Sequence, residues 1–311
     1  MGKKILVSFA DHRYANAMER LARETANFGF DERYFWSEKD LPQGFFDGFS
    51  PKLYRRGFGY WIWKPYIIMK VMKNMREGDI LVYSDCGNRW IIDSYKRYLQ
   101  YIAMLKQDKP LVAFQQQHLE KDWTKGDVFY SLCPNNWKKY AVTLQLWGGC
   151  FMLMKTFTTE SLVKKWYELS LSQRDLFTDK KSSFPNLLGF QENRHDQSVF
   201  SLLVKQIPHT EISWDEVDDL DGKWENFGKF PIQAKREHRI SRKNWFLNRI
   251  LLRPYHYLQG EYLILFKNFH FAKRKIWMII FVLVTEGFKT LNGGGNKLLK
   301  SYYSLSSKKG I

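Results

Sequence analysis

Cysteine is scarce in this chain, with Cys86, Cys133 and Cys150 the only three in 311 residues. An odd, widely spaced set without a CxxC pair excludes a disulfide framework and a structural zinc site. It fits a reducing compartment. Long apolar runs are lacking too. The longest uncharged one, residues 276–284, has nine residues, whereas a bilayer span needs about 20, so no transmembrane helix is expected. Residues 5–10 are too short for a signal-peptide core and run straight into Asp11-His12-Arg13, which makes the cytoplasm the expected location. No internal repeat or low-complexity tract is present.

What the chain has instead is aromatic and basic. A hydrophobic fraction of 44% and an aromatic fraction of 17%, with 12 tryptophans, exclude global disorder. Aromatics in this number fill a core and also supply flat faces that stack on sugar rings or bases. The net charge of +17 is uneven, because residues 235–311 hold 16 Lys and Arg against 3 Asp and Glu. Residues 1–234 are therefore nearly ordinary. That distribution argues against a whole-body nucleic-acid binder and for a local basic surface that meets anions. It divides the chain into a main domain, 1–234, and a basic aromatic extension, 235–311, read as helical.

Short apolar runs alternate with helical patterns in the main domain. Residues 5–9, 33–36, 79–83 and 110–115 read as strands, with helices over 62–75, 92–106, 159–171 and 196–204. Pro65 sets a helix start near its own position, and Thr158 or Thr159 is the expected cap of the third helix. Trp147-Gly148-Gly149-Cys150 reads as a strand opened by a glycine pair, and 175–192 as loop. The alternation predicts a mostly parallel sheet covered on both faces. Ligands then bind outside the carboxyl ends of the strands, and both Asp11 and Asp85 stand just past such an end.

Three further groupings have the makings of a site. Asp85 with Gly87 offers a carboxylate beside a backbone that a ligand can approach, although an ordinary Asx turn explains the same residues. Gly57-Phe58-Gly59-Tyr60-Trp61-Ile62-Trp63-Lys64-Pro65 joins a cation to a helix N-terminus, which suits phosphate; core anchoring accounts equally well for Trp61 and Trp63. Arg194-His195-Asp196-Gln197-Ser198 concentrates polar groups at a helix start. A capped helix explains Asp196 but leaves His195 and Gln197 without a role. His118 and His209 read as isolated.

In this order, the segments Gly59 to Tyr66, Gly78 to Gly87, Gly148-Gly149 and His195 to Ser198 resemble a group of bacterial GT-A-type glycosyltransferases of capsule and lipopolysaccharide biosynthesis. The resemblance covers residues 3–207. It implies a GT-A-like α/β fold and transfer of a hexose from a nucleotide sugar, UDP-hexose favoured, to a hydroxyl of a surface glycan. By resemblance, Asp85 takes the place of the first acid of the DxD motif and Asp196 that of a base or acceptor ligand. Ala10, Asp11, Tyr60, Lys64, Asp85 and Gly87 are then the donor-binding set. Trp61, Gly148, Gly149, His195 and Gln197 are the acceptor-binding set. Gly87 stands where the second acid of DxD belongs, which weakens the case for a metal. Mn²⁺ or Mg²⁺ would have Asp85 and His195 as its candidate ligands.

The extension carries Lys273-Arg274-Lys275 directly before its apolar run. An interfacial helix on anionic lipid has this composition, which predicts peripheral attachment to the inner face of the cytoplasmic membrane. A helix packed on the core is the plainer alternative. Two rival functions remain: a non-catalytic glycan-binding protein of the same fold, suggested by Gly87, and a nucleic-acid binder acting through the extension. The near-neutral main domain leaves no nucleic-acid partner expected.

Overall fold

The computed structural model describes residues 2–49, 56–218 and 228–234; the expectations for 235–311 lie outside the described residues. In chain order the elements are β1 Lys4–Phe9, α1 Ala15–Glu24, β2 Glu32–Trp36, α2 Gly57–Tyr60, α3 Lys64–Met72, β3 Ile80–Ser84 and β4 Arg89–Trp90. Next come α4 Tyr95–Met104, β5 Leu111–Leu119, α5 Glu120–Trp123, α6 Gly126–Leu132, α7 Trp137–Ala141 and β6 Leu144–Met154. The last are α8 Phe157–Ser172, α9 Asp196–Val204, β7 Thr210–Ile212 and β8 Ile232–Gln233.

β3 is buried at all five positions and β1 at five of six. Such unbroken apolar runs belong to strands covered on both sides. Successive side chains serve opposite cores. Ile5, Val7, Phe9, Leu81 and Tyr83 pack with α3, α6, α8 and α9, whereas Leu6, Ile80 and Val82 pack with α1 and α4.

Six strands form one sheet in the order β2-β1-β3-β6-β5-β7. β2, β1 and β3 are parallel, as are β5 and β7; β6 runs antiparallel to both its neighbours. The fold is thus a mixed α/β arrangement, mainly parallel, with helices on both faces. Because β2 and β3 lie on opposite sides of β1, the carboxyl ends of β1 and β3 flank a topological switch point, where such sheets bind ligands. Asp11 and Asp85 follow those two ends.

Two expectations change. The Gly148-Gly149 pair sits in the middle of β6, which starts at Leu144. The cap of α8 is Thr156, whose hydroxyl accepts from the Thr159 N–H, while Thr159 closes the reciprocal bond. Helices α5, α6 and α7, of four, seven and five residues, leave too few turns to show a helical period. β5 is irregular as well, with register shifts between Ala113 and Gln115 and between Gln115 and Leu119. Irregularities of this kind re-aim side chains near sites.

Trp166 of α8 is fully buried against Phe151 of β6 and Phe200 of α9, with ring centroids 6.2 and 5.1 Å away. Trp166→Ala should lower unfolding free energy by about 3–5 kcal/mol in chemical denaturation.

Candidate active site

A cavity of about 520 Å³ opens at the carboxyl ends of β1 and β3. Of the twelve residues expected at the site, eleven line it: Ala10, Asp11, Trp61, Lys64, Asp85, Gly87, Gly148, Gly149, His195, Asp196 and Gln197. Tyr60 does not. It is buried, and its hydroxyl donates to Asp179 Oδ2 at 2.6 Å.

Lys64 organises the floor. At the first turn of α3 it is only 2% exposed, and its Nζ donates to Asp196 Oδ2 at 2.5 Å and to the Gly148 carbonyl at 2.9 Å. Asp85 Oδ1 lies 3.6 Å from the same nitrogen, and the Tyr83 ring lies beneath it at 4.9 Å. Tyr83 donates its hydroxyl to Asp85 Oδ1 at 2.6 Å. One ammonium therefore serves two carboxylates. Burial raises the pKa of Asp196 to about 6 against the opposing pull of Lys64, and the charge of Asp85 pushes it the same way as burial. Lys64 lines the cavity with its Nζ hydrogen-bonded to Asp196 and to the Gly148 carbonyl.

The glycine pair provides the backbone for this arrangement. Gly148 gives its carbonyl to Lys64 and its N–H to Gln197 Oε1 at 3.2 Å. Gly149 gives its carbonyl to the Asp85 N–H and to Asn88 Nδ2, both at 2.8 Å. A Cβ on Gly148 would stand 3.2 Å from Gln197 Cα, so any side chain there presses on the start of α9. Gly87 differs, since a Cβ on it meets no described atom within 4 Å. Packing does not demand glycine at this position. The turn after β3 is held by Arg20, whose guanidinium donates to the carbonyls of Cys86, Gly87 and Asn88, each at 3.1 Å.

The aromatic wall is strained. From Gly57 to Trp61 five consecutive residues have positive φ (56°, 50°, 87°, 55° and 58°), so α2 is a left-handed turn. For Phe58, Tyr60 and Trp61 that conformation costs about 1–2 kcal/mol each. Compensation comes from the Trp63 Nε1–H bonded to the Gly57 carbonyl at 3.0 Å and from Trp63 stacked on Phe9 at 3.8 Å. The turn sets Tyr60 and Trp61 against His195, with ring centroids at 4.6 and 5.7 Å. His195 itself has φ 57°.

The Phe177 carbonyl lies 2.8 Å from His195 Nδ1, which must therefore carry the hydrogen. Nε2 faces Asp179 at 3.7 Å, and burial lowers the pKa to about 4, so the ring is neutral at pH 7. This geometry does not fit the expected Asp85–His195 metal pair, because His195 is turned to Phe177 and Asp179 while Asp85 faces Lys64 and Tyr83. No cluster of three or more His, Cys, Asp or Glu suited to a metal occurs among the described residues.

Asp11 is in the wall with its carboxylate engaged by the Arg13 guanidinium, Nε at 3.0 Å and Nη2 at 2.5 Å. Sequence reasoning missed Arg13 and Arg20, both lining the cavity. It also took His118 as isolated, yet His118 lines the cavity beside Gln116, and its ring lies 4.6 Å from Trp123. The irregular second half of β5 brings both inward, and no spacing rule signals such an irregularity.

No protein-family profile matches the sequence, and no curated protein matches it. Solved structures similar to the chain are glycosyltransferases. One is involved in glycosylation of the major capsid of PBCV-1: TM-score 0.44, 10% identity, 80% of this chain and 100% of that one. The galactosyltransferase LgtC, in complex with donor and acceptor sugar analogs, gives TM-score 0.38 and 12% identity over 79% of this chain and 93% of its own. GlyE of Streptococcus pneumoniae gives TM-score 0.38 and 13% identity over 71% of this chain, which spans about half (49%) of its length. At these identities and TM-scores the likeness says nothing of this chain's donor, acceptor or mechanism.

The Lys64–Asp196 contact can be read directly. A ¹³C carboxyl titration of Asp196 should show a midpoint near pH 6. In Lys64→Met the midpoint should move higher, because the cation that favours the ionised form is gone. A midpoint in the ordinary aspartate range would refute the buried arrangement.

Proposed function

We propose that the cavity is the active site of a nucleotide-sugar-dependent glycosyltransferase that moves a hexose or similar sugar to a hydroxyl of a surface glycan, with a lipid-linked acceptor at the inner membrane face. The observation that carries this reading is the Asp85–Lys64–Asp196 group at the cavity floor. It supplies a strand-end carboxylate for donor hydroxyls, a buried positive charge beneath the reacting centre, and a second carboxylate with a pKa of about 6. A base of that strength is ionised at neutral pH and still takes up a proton readily.

In this mechanism the nucleotide lies across Phe9-Ala10-Asp11, and its diphosphate reaches toward Asp85. Arg13 and Arg20 border that end, and their positive charge, held in place by Asp11 and by the turn after β3, favours charge growing on the departing phosphate. Trp61 presents a ring to the acceptor sugar. The acceptor hydroxyl attacks the anomeric carbon, the bond to the diphosphate oxygen breaks, and the hydroxyl proton passes to Asp196. UDP-hexose is the favoured donor. Every step is assigned to residues of the chain, since the Asp85–His195 set does not suit a resident ion. Attachment to the inner membrane face rests on the basic composition of residues 235–311; no helix of the described residues is long and apolar enough to cross a membrane.

Thermal shift against a panel of nucleotide sugars, with and without Mn²⁺, and donor hydrolysis test the proposal. The wild type should be stabilised by a UDP-hexose and hydrolyse it slowly. Asp85→Asn and Asp196→Asn should each reduce hydrolysis by about 100-fold or more. Full activity in Asp85→Asn sinks the assignment; stabilisation without hydrolysis favours the glycan-binding alternative. Hydrolysis should also fall as pH drops through about 6, where Asp196 gains its proton, and the fall should vanish in Asp196→Asn.

A further inference from the structure

Behind the cavity wall lies a buried polar cluster that the proposed chemistry leaves unused. Glu120 is fully buried, pairs with Lys205 Nζ at 2.7 Å, and accepts hydrogen bonds from the hydroxyls of Ser201 and Thr124. Gln145 of β6, also fully buried, stands between this cluster and the cavity. Its Nε2 has Thr124 Oγ1 at 3.0 Å and, at 3.3 Å, Glu120 Oε2, the Trp123 carbonyl and Ser198 Oγ.

All four of those groups accept. Thr124 has given its hydrogen to Glu120, and Ser198 has given its own to the Trp123 carbonyl. A reversed Gln145 amide would press an oxygen against a carboxylate and a carbonyl at a fully buried position. Gln145 Oε1 must therefore point to the cavity side, where it accepts from Gln197 Nε2 at 2.6 Å. Gln197 Oε1 in turn accepts from the Gly148 N–H. A reversed Gln197 would set oxygen on oxygen at one end and N–H on N–H at the other.

We propose that Gln145, backed by Glu120 and Lys205, is a positioning residue that fixes the amide of Gln197. Gln197 then presents an N–H donor, not an oxygen, to the cavity beside the Asp196 carboxylate. Such a donor takes an oxygen of the bound sugar, while the neighbouring carboxylate takes a hydroxyl hydrogen, so the pair discriminates the two ends of one polar group. The kinetic consequence rests on the glycosyltransferase reading; the orientation of the amide does not.

Two measurements separate the parts. In protein labelled with ¹⁵N at glutamine side chains, the Gln197 signals are those lost in Gln197→Met. One Nε2 hydrogen should exchange with solvent about tenfold more slowly than in an exposed glutamine. Gln145→Met should abolish that protection. Gln145→Asn keeps a buried amide but withdraws it from Gln197, so it should do the same and serves where Gln145→Met does not fold. Unchanged protection in the folded variant overturns the proposal.

Donor hydrolysis supplies the second readout. Gln145→Met should lower kcat about tenfold with donor KM unchanged, and the double variant should be no slower than Gln197→Met alone. Additive losses would mean that Gln145 acts on the fold in general, and would overturn the proposal. A wild type that hydrolyses no nucleotide sugar counts against the proposed function alone, because the exchange measurement is made on the free protein.

Discussion

A single buried ammonium holds the site together. Taking a charge out of water costs several kcal/mol even after relaxation, and only close, hydrogen-bonded partners offset it. Lys64 meets that demand with Asp196 and the Gly148 carbonyl, and with Asp85 slightly further off. Those partners come from α9, the middle of β6 and the turn after β3. Removing Lys64 or Asp196 leaves the other buried without its ion partner. The start of α3, the start of α9 and the centre of the sheet are thereby fixed to one point, which is also the cavity floor.

The glycine pair follows from that constraint. β6 passes through the floor where a side chain has no room, since a Cβ on Gly148 would press on Gln197 and one on Gly149 on the Trp147 ring. Without side chains the strand offers its carbonyls and N–H to Lys64, Gln197, Asp85 and Asn88. The middle of β6 therefore exchanges part of its ladder bonding for bonding to site residues, which its burial at positions 145–153 requires to be complete.

How much of this was legible follows from what each signal encodes. β1 and β3 showed themselves through continuous apolar runs, and Pro65 marked the start of α3. α9 was visible because polar residues crowd its first turn before an apolar stretch. Asp85, Lys64, Gly148 and Asp196 were each singled out, so the parts of the site were present in the reading. The pairing was not, because Lys64 and Asp196 lie 132 positions apart and no local pattern records a contact at that range. Strand direction was hidden for the same reason: a buried antiparallel strand such as β6 has the same apolar run as a parallel one. The left-handed turn had its two glycines in view, but Phe58, Tyr60 and Trp61 disfavour that conformation, so propensity argued against what tertiary packing imposes. His118 was lost to the irregularity of β5.

The strain has a location that bears on function. Bulky residues in the left-handed region persist only where surrounding contacts overdetermine them. Here Phe58, Tyr60, Trp61 and His195 all adopt positive φ, and all belong to one wall of the cavity or its immediate backing. The stacking of Trp63 on Phe9, the Tyr60–Asp179 hydrogen bond and the His195–Phe177 contact hold them there. A relaxed right-handed turn would swing the rings of Tyr60 and Trp61 away from His195. What the strain secures is therefore an aromatic face in the same cavity as the Asp85–Lys64–Asp196 floor. On the proposed glycosyltransferase reading, a sugar held between a fixed ring and a fixed carboxylate would lose little further freedom on reaching the reactive geometry.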